Sequence, residues 1–318
     1  MDIPSIYSWR RYYIRLSWRD APAVCQHAIA SNLRQKEESM LAHQNSQGMI
    51  EPHSSLVQNF LARPEIHQRW ERDYRTADNE SFYELAFDYL LRALNPSPGA
   101  TFLDAGCGSC AHSVRLARRG FNVRAVDFSE SALAMAQDYV NSKELQDRIT
   151  LGRESLLELS FPDESFDYVL CWGVLMHIPE VGRAISELSR IIKPGGSLVV
   201  SEGNKASLEA IGTRNLRRLL RKEKAEVREK PEGVEYWTEK SGDALVTRQA
   251  NIRWLIKSFE AHGLTLTQRI AGQLSESYTR FSAPPLKHLV HGLNNFWFRH
   301  VIWAGPAFGN ILFFQKQQ

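Results

Sequence analysis

Between residues 82 and 93, Phe82, Leu85, Ala86, Tyr89, Leu90 and Ala93 recur every three to four positions. That period predicts an amphipathic helix, with Asp78 and Asn79 as cap-type residues at its start. Asn95-Pro96-Ser97-Pro98-Gly99 ends it, since proline removes a donor and glycine permits a turn. From Thr101 the pattern becomes short apolar runs alternating with helical stripes. Thr101 to Asp104, Asn122 to Asp127, Ile149 to Leu151, Phe166 to Cys171 and Ser197 to Ser201 read as strands. Cys110 to Arg119 reads as a helix, as does the segment capped by Ser129 that carries Leu133, Ala136 and Val140. Val181, Ala184, Ile185, Leu188 and Ile192 give a further helical stripe, ended by Lys193-Pro194-Gly195-Gly196. Asn251 to His262 is helical again, and Leu264 to Ile270 and Asn310 to Gln315 read as the last strands. This β-α alternation predicts an α/β fold, a parallel sheet covered on both faces.

Composition changes the picture little. The chain has 318 residues, 43% hydrophobic and 24% charged, which excludes collagen-like and wholly disordered classes. Its net charge of +3 is too weak to imply nucleic acid, so any basic surface must be local. Four cysteines in a chain of this length do not make a disulfide framework. The N-terminus has arginines at 10, 11, 15 and 19 without an apolar run, so it does not read as a secretory signal. No stretch reaches the ~18 uninterrupted apolar residues of a spanning helix. A cytoplasmic location is the expectation.

Candidate chemistry concentrates in Leu103-Asp104-Ala105-Gly106-Cys107-Gly108-Ser109-Cys110-Ala111, followed by Val126-Asp127-Phe128. Glycines after a strand allow a tight turn and close backbone approach to a ligand. Asp127, 21 residues after Gly106 at the end of the next strand, can accept hydrogen bonds from two ribose hydroxyls. The pattern therefore points to a nucleoside. Gly106-x-Gly108-x-x-Ala111 also fits a relaxed dinucleotide fingerprint. Asp104 discriminates: a carboxylate there would repel a diphosphate and attract a ligand carrying an ammonium and a sulfonium. Cys107-x-x-Cys110 has no second pair, and His288-x-x-His291 has no carboxylate nearby in sequence, so no metal site is expected.

Leu103 to Gly108 resembles the first motif of the class I S-adenosylmethionine-dependent methyltransferases. Val126-Asp127-Phe128-Ser129, Phe161 to Asp167 and Ile192 to Gly196 match the same family in order, and Val174 to Pro179 resembles the segment after its fourth strand. The small-molecule, quinone-biosynthesis-like subgroup is the most similar. The resemblance covers about residues 80–204. It implies a Rossmann-like, seven-stranded, mostly parallel sheet with an antiparallel last strand, and S-adenosylmethionine as cofactor. It further implies that Asp104 lies near the methionine amino group and that Gly106, Cys107 and Gly108 form the turn under the cofactor. Asp127 would hold the ribose, Phe128 would cover the adenine, and Cys171 would touch the methionine end. Many relatives place an aspartate where this chain has Ser155, so the adenine-edge contact falls to the turn of Glu154, Ser155 and Leu156. His177 and Glu202, after the fourth and fifth strands, and Tyr236 are the candidate bases. The implied reaction is in-line methyl transfer to oxygen, nitrogen or carbon of a small or medium-sized acceptor, lipid- and saccharide-linked ones included. A non-catalytic S-adenosylmethionine-binding protein and a nicotinamide-dependent oxidoreductase are the competing readings.

Outside that core, a helical extension over 1–75 and insertions at about 205–250 and 272–308 are expected to form a helical cap. Residues 205–230 carry nine Lys or Arg against four Glu, and seven of the eight tryptophans lie outside 76–204. These accessory segments suit a hydrophobic acceptor or a peripheral contact with an anionic membrane surface. Nucleic acid is not an expected partner, because the Asn/Asp-Pro-Pro-aromatic run of several base-modifying relatives is absent after the fourth strand.

Overall fold

The computed structural model describes residues 52–220, 226–240 and 243–318. The first 51 residues of the expected extension, with Trp9 and Trp18, lie outside the described residues. Two helices, α1 (Pro52–Leu61) and α2 (Pro64–Tyr74), precede α3 (Ala77–Leu94). The α/β repeat follows as β1 (Thr101–Ala105), α4 (Ala111–Arg118), β2 (Asn122–Asp127), α5 (Glu130–Ser142), β3 (Ile149–Arg153), β4 (Phe166–Trp172), α6 (Val181–Arg190) and β5 (Ile192–Gly203). Next come α7 (Leu208–Leu220), β6 (Glu226–Lys230), β7 (Gly233–Lys240) and β8 (Asp243–Ala250). The chain closes with α8 (Ile252–Glu260), β9 (Leu264–Ala271), α9 (Pro284–His300) and β10 (Gly309–Lys316).

The main sheet has seven strands in the order β3-β2-β1-β4-β5-β10-β9. β10 runs antiparallel to both its neighbours and the remaining pairs are parallel. Apolar side chains fill both faces. On one, Leu103, Val169 and Val200 meet the α6 stripe Ala184, Ile185 and Leu188 and the α8 residues Leu255 and Phe259. On the other, Phe102, Leu170 and Ile311 meet Phe82 and Phe87 of α3, Val114 of α4 and Phe298 of α9. The Rossmann-like architecture implied by the motifs is therefore present. Strand order reverses between β1 and β4, and open α/β sheets bind ligands outside the carboxyl ends of such strands.

Two expectations are corrected. The N-cap of α3 is Thr76, whose hydroxyl accepts from Asn79 N–H, rather than Asp78 or Asn79. The insertion after β5 is not wholly helical: α7 is followed by a three-stranded antiparallel sheet, β6-β7-β8. Ala244, Val246 and Arg248 are buried at every second position, the period of a strand. The described part of the expected extension, α1 and α2, is helical, and Pro52–Gln318 form one compact unit. Val57 and Leu61 of α1 and Ile66 of α2 pack on Trp237, Ala244 and Val246 of the small sheet.

Candidate active site

The glycine turn is built on the carboxyl end of β1 and tied to β2. Gly106 and Cys107 both donate their N–H to Val126 O, at 2.8 and 2.9 Å. Gly106 has φ +82°, and a Cβ there would lie 2.6 Å from Val174 Cγ2, so only glycine fits. Gly108, φ +52°, donates its N–H to Asp127 Oδ2 at 3.0 Å. Asp127 Oδ1 accepts Ser129 N–H at 2.9 Å. Each carboxylate oxygen carries about two acceptor positions, so one on each remains for a pair of vicinal hydroxyls. Burial raises the Asp127 pKa above its usual value, opposed by these backbone donors.

Above the turn lies a cleft with about 1380 Å³ of empty space, its open mouth included. Gly106, Cys107, Gly108, Asp127, Phe128, Ser155 and Leu156 line it, with Trp172, Gly173, Val174 and His177 from the end of β4 onward. Asp104 sits beneath the turn, 2% exposed, and accepts Ser113 Oγ–H at 2.5 Å. Burial, with the Asp127 charge adding to it, raises its pKa to about 6. Among the described residues that line the cleft, Glu80 is paired with the buried Arg115 behind the wall and Glu71 with Arg75, so Asp127 is the carboxylate without an arginine partner. The Glu71–Arg75 pair spans 2.8 Å. With Asp104 below, the electrostatics favour a cationic nucleoside ligand and oppose a diphosphate.

His177 is brought to the cleft. It stacks on Trp70 at 5.1 Å, and its Nδ1 lies 2.9 Å from Val246 O. A carbonyl only accepts, so Nδ1 carries the proton and Nε2 presents a lone pair. Burial lowers its pKa, keeping the ring neutral.

The structure removes three expected site residues from the cleft. Cys171 is fully buried among the apolar residues below α6, and its neighbour Trp172 takes the opposite face and reaches the wall. Alternation along β4 separates the two. Glu202 is buried on the far side of the 175–178 loop, beside Arg248 and Trp254, where its Oε1 accepts Leu175 N–H at 2.9 Å. Burial raises its pKa to about 8. Tyr236, on β7, donates its hydroxyl to Gln249 Oε1 at 3.4 Å and lies under the Arg217 guanidinium. Its alternation partner Trp237 faces α1 instead.

Several wall residues were not found by motif reasoning. His67 of α2 contacts Leu61 O at 2.7 Å and Ser129 Oγ at 3.0 Å. Glu71 accepts from the Ser109 hydroxyl, tying α2 to the glycine turn. Ile66, His67, Trp70 and Tyr74 recur at helical spacing, a legible sign of one semi-apolar face. Tyr83, His112 and Trp172 form an aromatic corner at the cleft, His112 lying 5.0 Å from Tyr83 and 5.1 Å from Trp172. Arg115 donates to His112 Nδ1 at 3.1 Å, so Nε2 holds the proton. Burial, then Arg115, lowers its pKa well below the usual value.

Arg248 was also unforeseen. This buried side chain from β8 donates to Leu175 O and Ile178 O, both at 2.9 Å, and to Pro179 O at 3.2 Å. Its charge is met by buried Glu235 at 2.6 Å. The small sheet thus fixes the loop that carries His177.

Residues 103–200 match a family model described as a methyltransferase domain. The ubiquinone biosynthesis O-methyltransferase of Alkalilimnicola ehrlichii is 33% identical over 122 residues, 38% of this chain and 49% of that protein. The demethylmenaquinone methyltransferase of Bacillus cytotoxicus is 32% identical over 129 residues, 40% of this chain and 53% of that one. The chain thus spans about half the length of the curated relatives it matches. In fold it is similar to the magnesium protoporphyrin IX methyltransferase of Synechocystis PCC 6803, with a TM-score of 0.55, 17% identity, and coverage of 83% of this chain and 99% of that one. Residues 103–200 match a methyltransferase-domain model, and the chain shares the Rossmann-like fold of a solved methyltransferase.

Proposed function

We propose that the chain transfers a methyl group from S-adenosylmethionine to a small or medium-sized organic acceptor. The observation that carries this reading is the acidic setting of the glycine turn: Asp127 on the wall and Asp104 below, with Glu71 and Arg75 cancelling as a pair. A sulfonium and an ammonium gain from that field, and the nicotinamide reading loses by it. Asp127 has acceptor positions for the ribose hydroxyls, Phe128 offers a face for adenine, and Ser155 with Leu156 bounds its edge. The cofactor would supply an activated carbon, so the chain's own task is alignment and exclusion of water.

The acceptor belongs at the aromatic corner of Trp70, Tyr74, Tyr83, His112 and Trp172, which suits a planar, largely apolar molecule. His177 Nε2 is the proton acceptor for a hydroxyl or amine nucleophile, and His112 Nε2–H orients an acceptor oxygen. Glu202 positions the loop under His177 rather than touching substrate. A peripheral contact with an anionic membrane surface belongs to the same reading, but not through Arg214 and Arg217. Arg214 is bound to Gln249 at 2.9 Å and to Lys205 O, and Arg217 stacks on Tyr236.

Transfer of labelled methyl from S-adenosylmethionine to a panel of phenolic and quinol acceptors tests the reading. His177→Ala should lower kcat by about 10²- to 10³-fold with cofactor affinity retained, as expected for loss of a general base. Tight cofactor binding without transfer to any acceptor would instead favour a non-catalytic binding protein.

A further inference from the structure

We propose that the outer face of α9, which carries Lys287 and Arg299 and no carboxylate, docks on an anionic lipid bilayer. The inner side of α9 is accounted for: Val290, His291, Asn294 and Phe298 are buried against the domain. The outer side is apolar as well. Leu286, Leu289, Leu293 and Phe296 are 46, 59, 49 and 58% exposed, and their spacing of three, four and three residues lays them in one stripe. Trp303, 66% exposed, follows the end of the helix. Leu208, the first residue of α7, donates its amide to Pro306 O at 3.1 Å, and its side chain is 70% exposed. A helix at a water-facing surface places polar residues on its outer side, and a contiguous apolar stripe marks a surface meant to be covered.

Charge selects the occupant. From residue 277 to 318 the chain contains no Asp or Glu, the longest such run in the sequence, yet it carries Lys287 and Arg299 on α9. Arg280 is paired with Glu209, and Lys316 is held at Ser189 O and Ile192 O, away from α9. No carboxylate on α9 therefore opposes approach to an anionic surface. The groove between α2, the turn Ser277–Arg280 and α9 is lined by Arg72, Lys287, His288 and His291 against Asp73 and Asp78. Asp78 is engaged by His288 at 2.8 Å. His291, 4% exposed, leaves its Nδ1 without a hydrogen-bond partner at the groove wall. Leucines and aromatics on a helix whose own charges are all cationic are the pattern of a helix lying in the headgroup plane. Among the described residues no helix is long and apolar enough to cross a membrane, which fits contact from one side.

The face adjoins the cleft through α2, which gives Trp70, Glu71 and Tyr74 to the cleft and Arg72 and Asp73 to the groove. An acceptor dissolved in the bilayer would reach the aromatic corner along this side. That consequence rests on the methyl-transfer reading; the docking itself does not.

The test is co-sedimentation of the full chain with vesicles of three parts phosphatidylcholine to one part phosphatidylglycerol, and with phosphatidylcholine alone. The chain should bind the anionic vesicles, release them as salt rises, and leave the neutral ones in solution. The double variant Leu289→Glu, Phe296→Glu should lose roughly tenfold or more in partitioning, with S-adenosylhomocysteine affinity unchanged. Absence of wild-type binding, or equal binding by the variant, would overturn the proposal. So would a wild-type dimer in solution that the variant dissociates, because a second copy would then cover the face. Vesicle binding without S-adenosylhomocysteine binding would support docking and refute the cofactor reading.

Discussion

At the scale of single residues, the site separates groups that meet ligand from groups that hold the frame. On the proposed reading Asp127 does both, since its two oxygens already fix Gly108 and Ser129 and keep acceptor positions for ribose hydroxyls. Glu202 belongs to the frame, and its burial has a measurable signature. Its pKa rises from 4.5 to about 8 on folding, so the folded chain holds a proton that the unfolded chain has released across that window. Stability from this group is therefore present at low pH and lost as pH rises through about 8. Glu202→Gln removes the titration. Thermal unfolding across this range should show the wild-type Tm falling more steeply with pH than that of the variant, whereas parallel curves would place Glu202 in contact with water. Asp127, Phe128 and the glycines line the cleft, where the strand-end spacing and, for Phe128, the family resemblance put them. Motif reasoning misplaced Cys171, Glu202 and Tyr236 because it followed chain position, and strand alternation sends alternate residues to opposite faces.

At the scale of elements, the small sheet β6-β7-β8 explains how α1, α2 and the His177 loop are held over the cleft. The basic count over 205–230 concealed it, since charge says nothing of period. Val246 receives His177, Asp243 pairs with Arg63 in the linker between α1 and α2, and Arg248 gathers three carbonyls of the loop. Glu235 is fully buried; burial pushes its pKa up, but the Trp237 indole and Arg248 more than offset this and hold it below the usual value. Removing one partner of a buried pair costs about 3–5 kcal/mol. Lys230 Nζ stays 3.2 Å from Glu235, so loss of Arg248 costs through the loop carbonyls it leaves without their donor as well as through Glu235. Arg248→Met should therefore destabilise the chain by about that amount in denaturant unfolding. The double change Arg248→Met, Glu235→Leu should recover only the part that belongs to the ion pair, since the carbonyls of Leu175, Ile178 and Pro179 still lack their donor. Additive losses would show that the two side chains act independently.

At the scale of the whole molecule, the sheet order and the direction of β10 follow from the alternation of apolar runs and from the family motifs. The sides of the cleft do not. α1 and α2 lie before the first motif and close the site through side chains such as Trp70 and Glu71, whose partners His177 and Ser109 are distant in sequence. The aromatic corner joins Tyr83 of α3, His112 of α4 and Trp172 of β4 in the same way, and only folding brings these three together. The central claim is that this assembled cleft holds S-adenosylmethionine through Asp127. Calorimetric titration of the purified chain with S-adenosylmethionine, S-adenosylhomocysteine and NADH, on wild type and Asp127→Ala, tests it most directly. The account predicts saturable binding of the first two, loss of both in the folded variant, and no binding of NADH. A folded wild type that binds neither, or that binds NADH in their place, would contradict it.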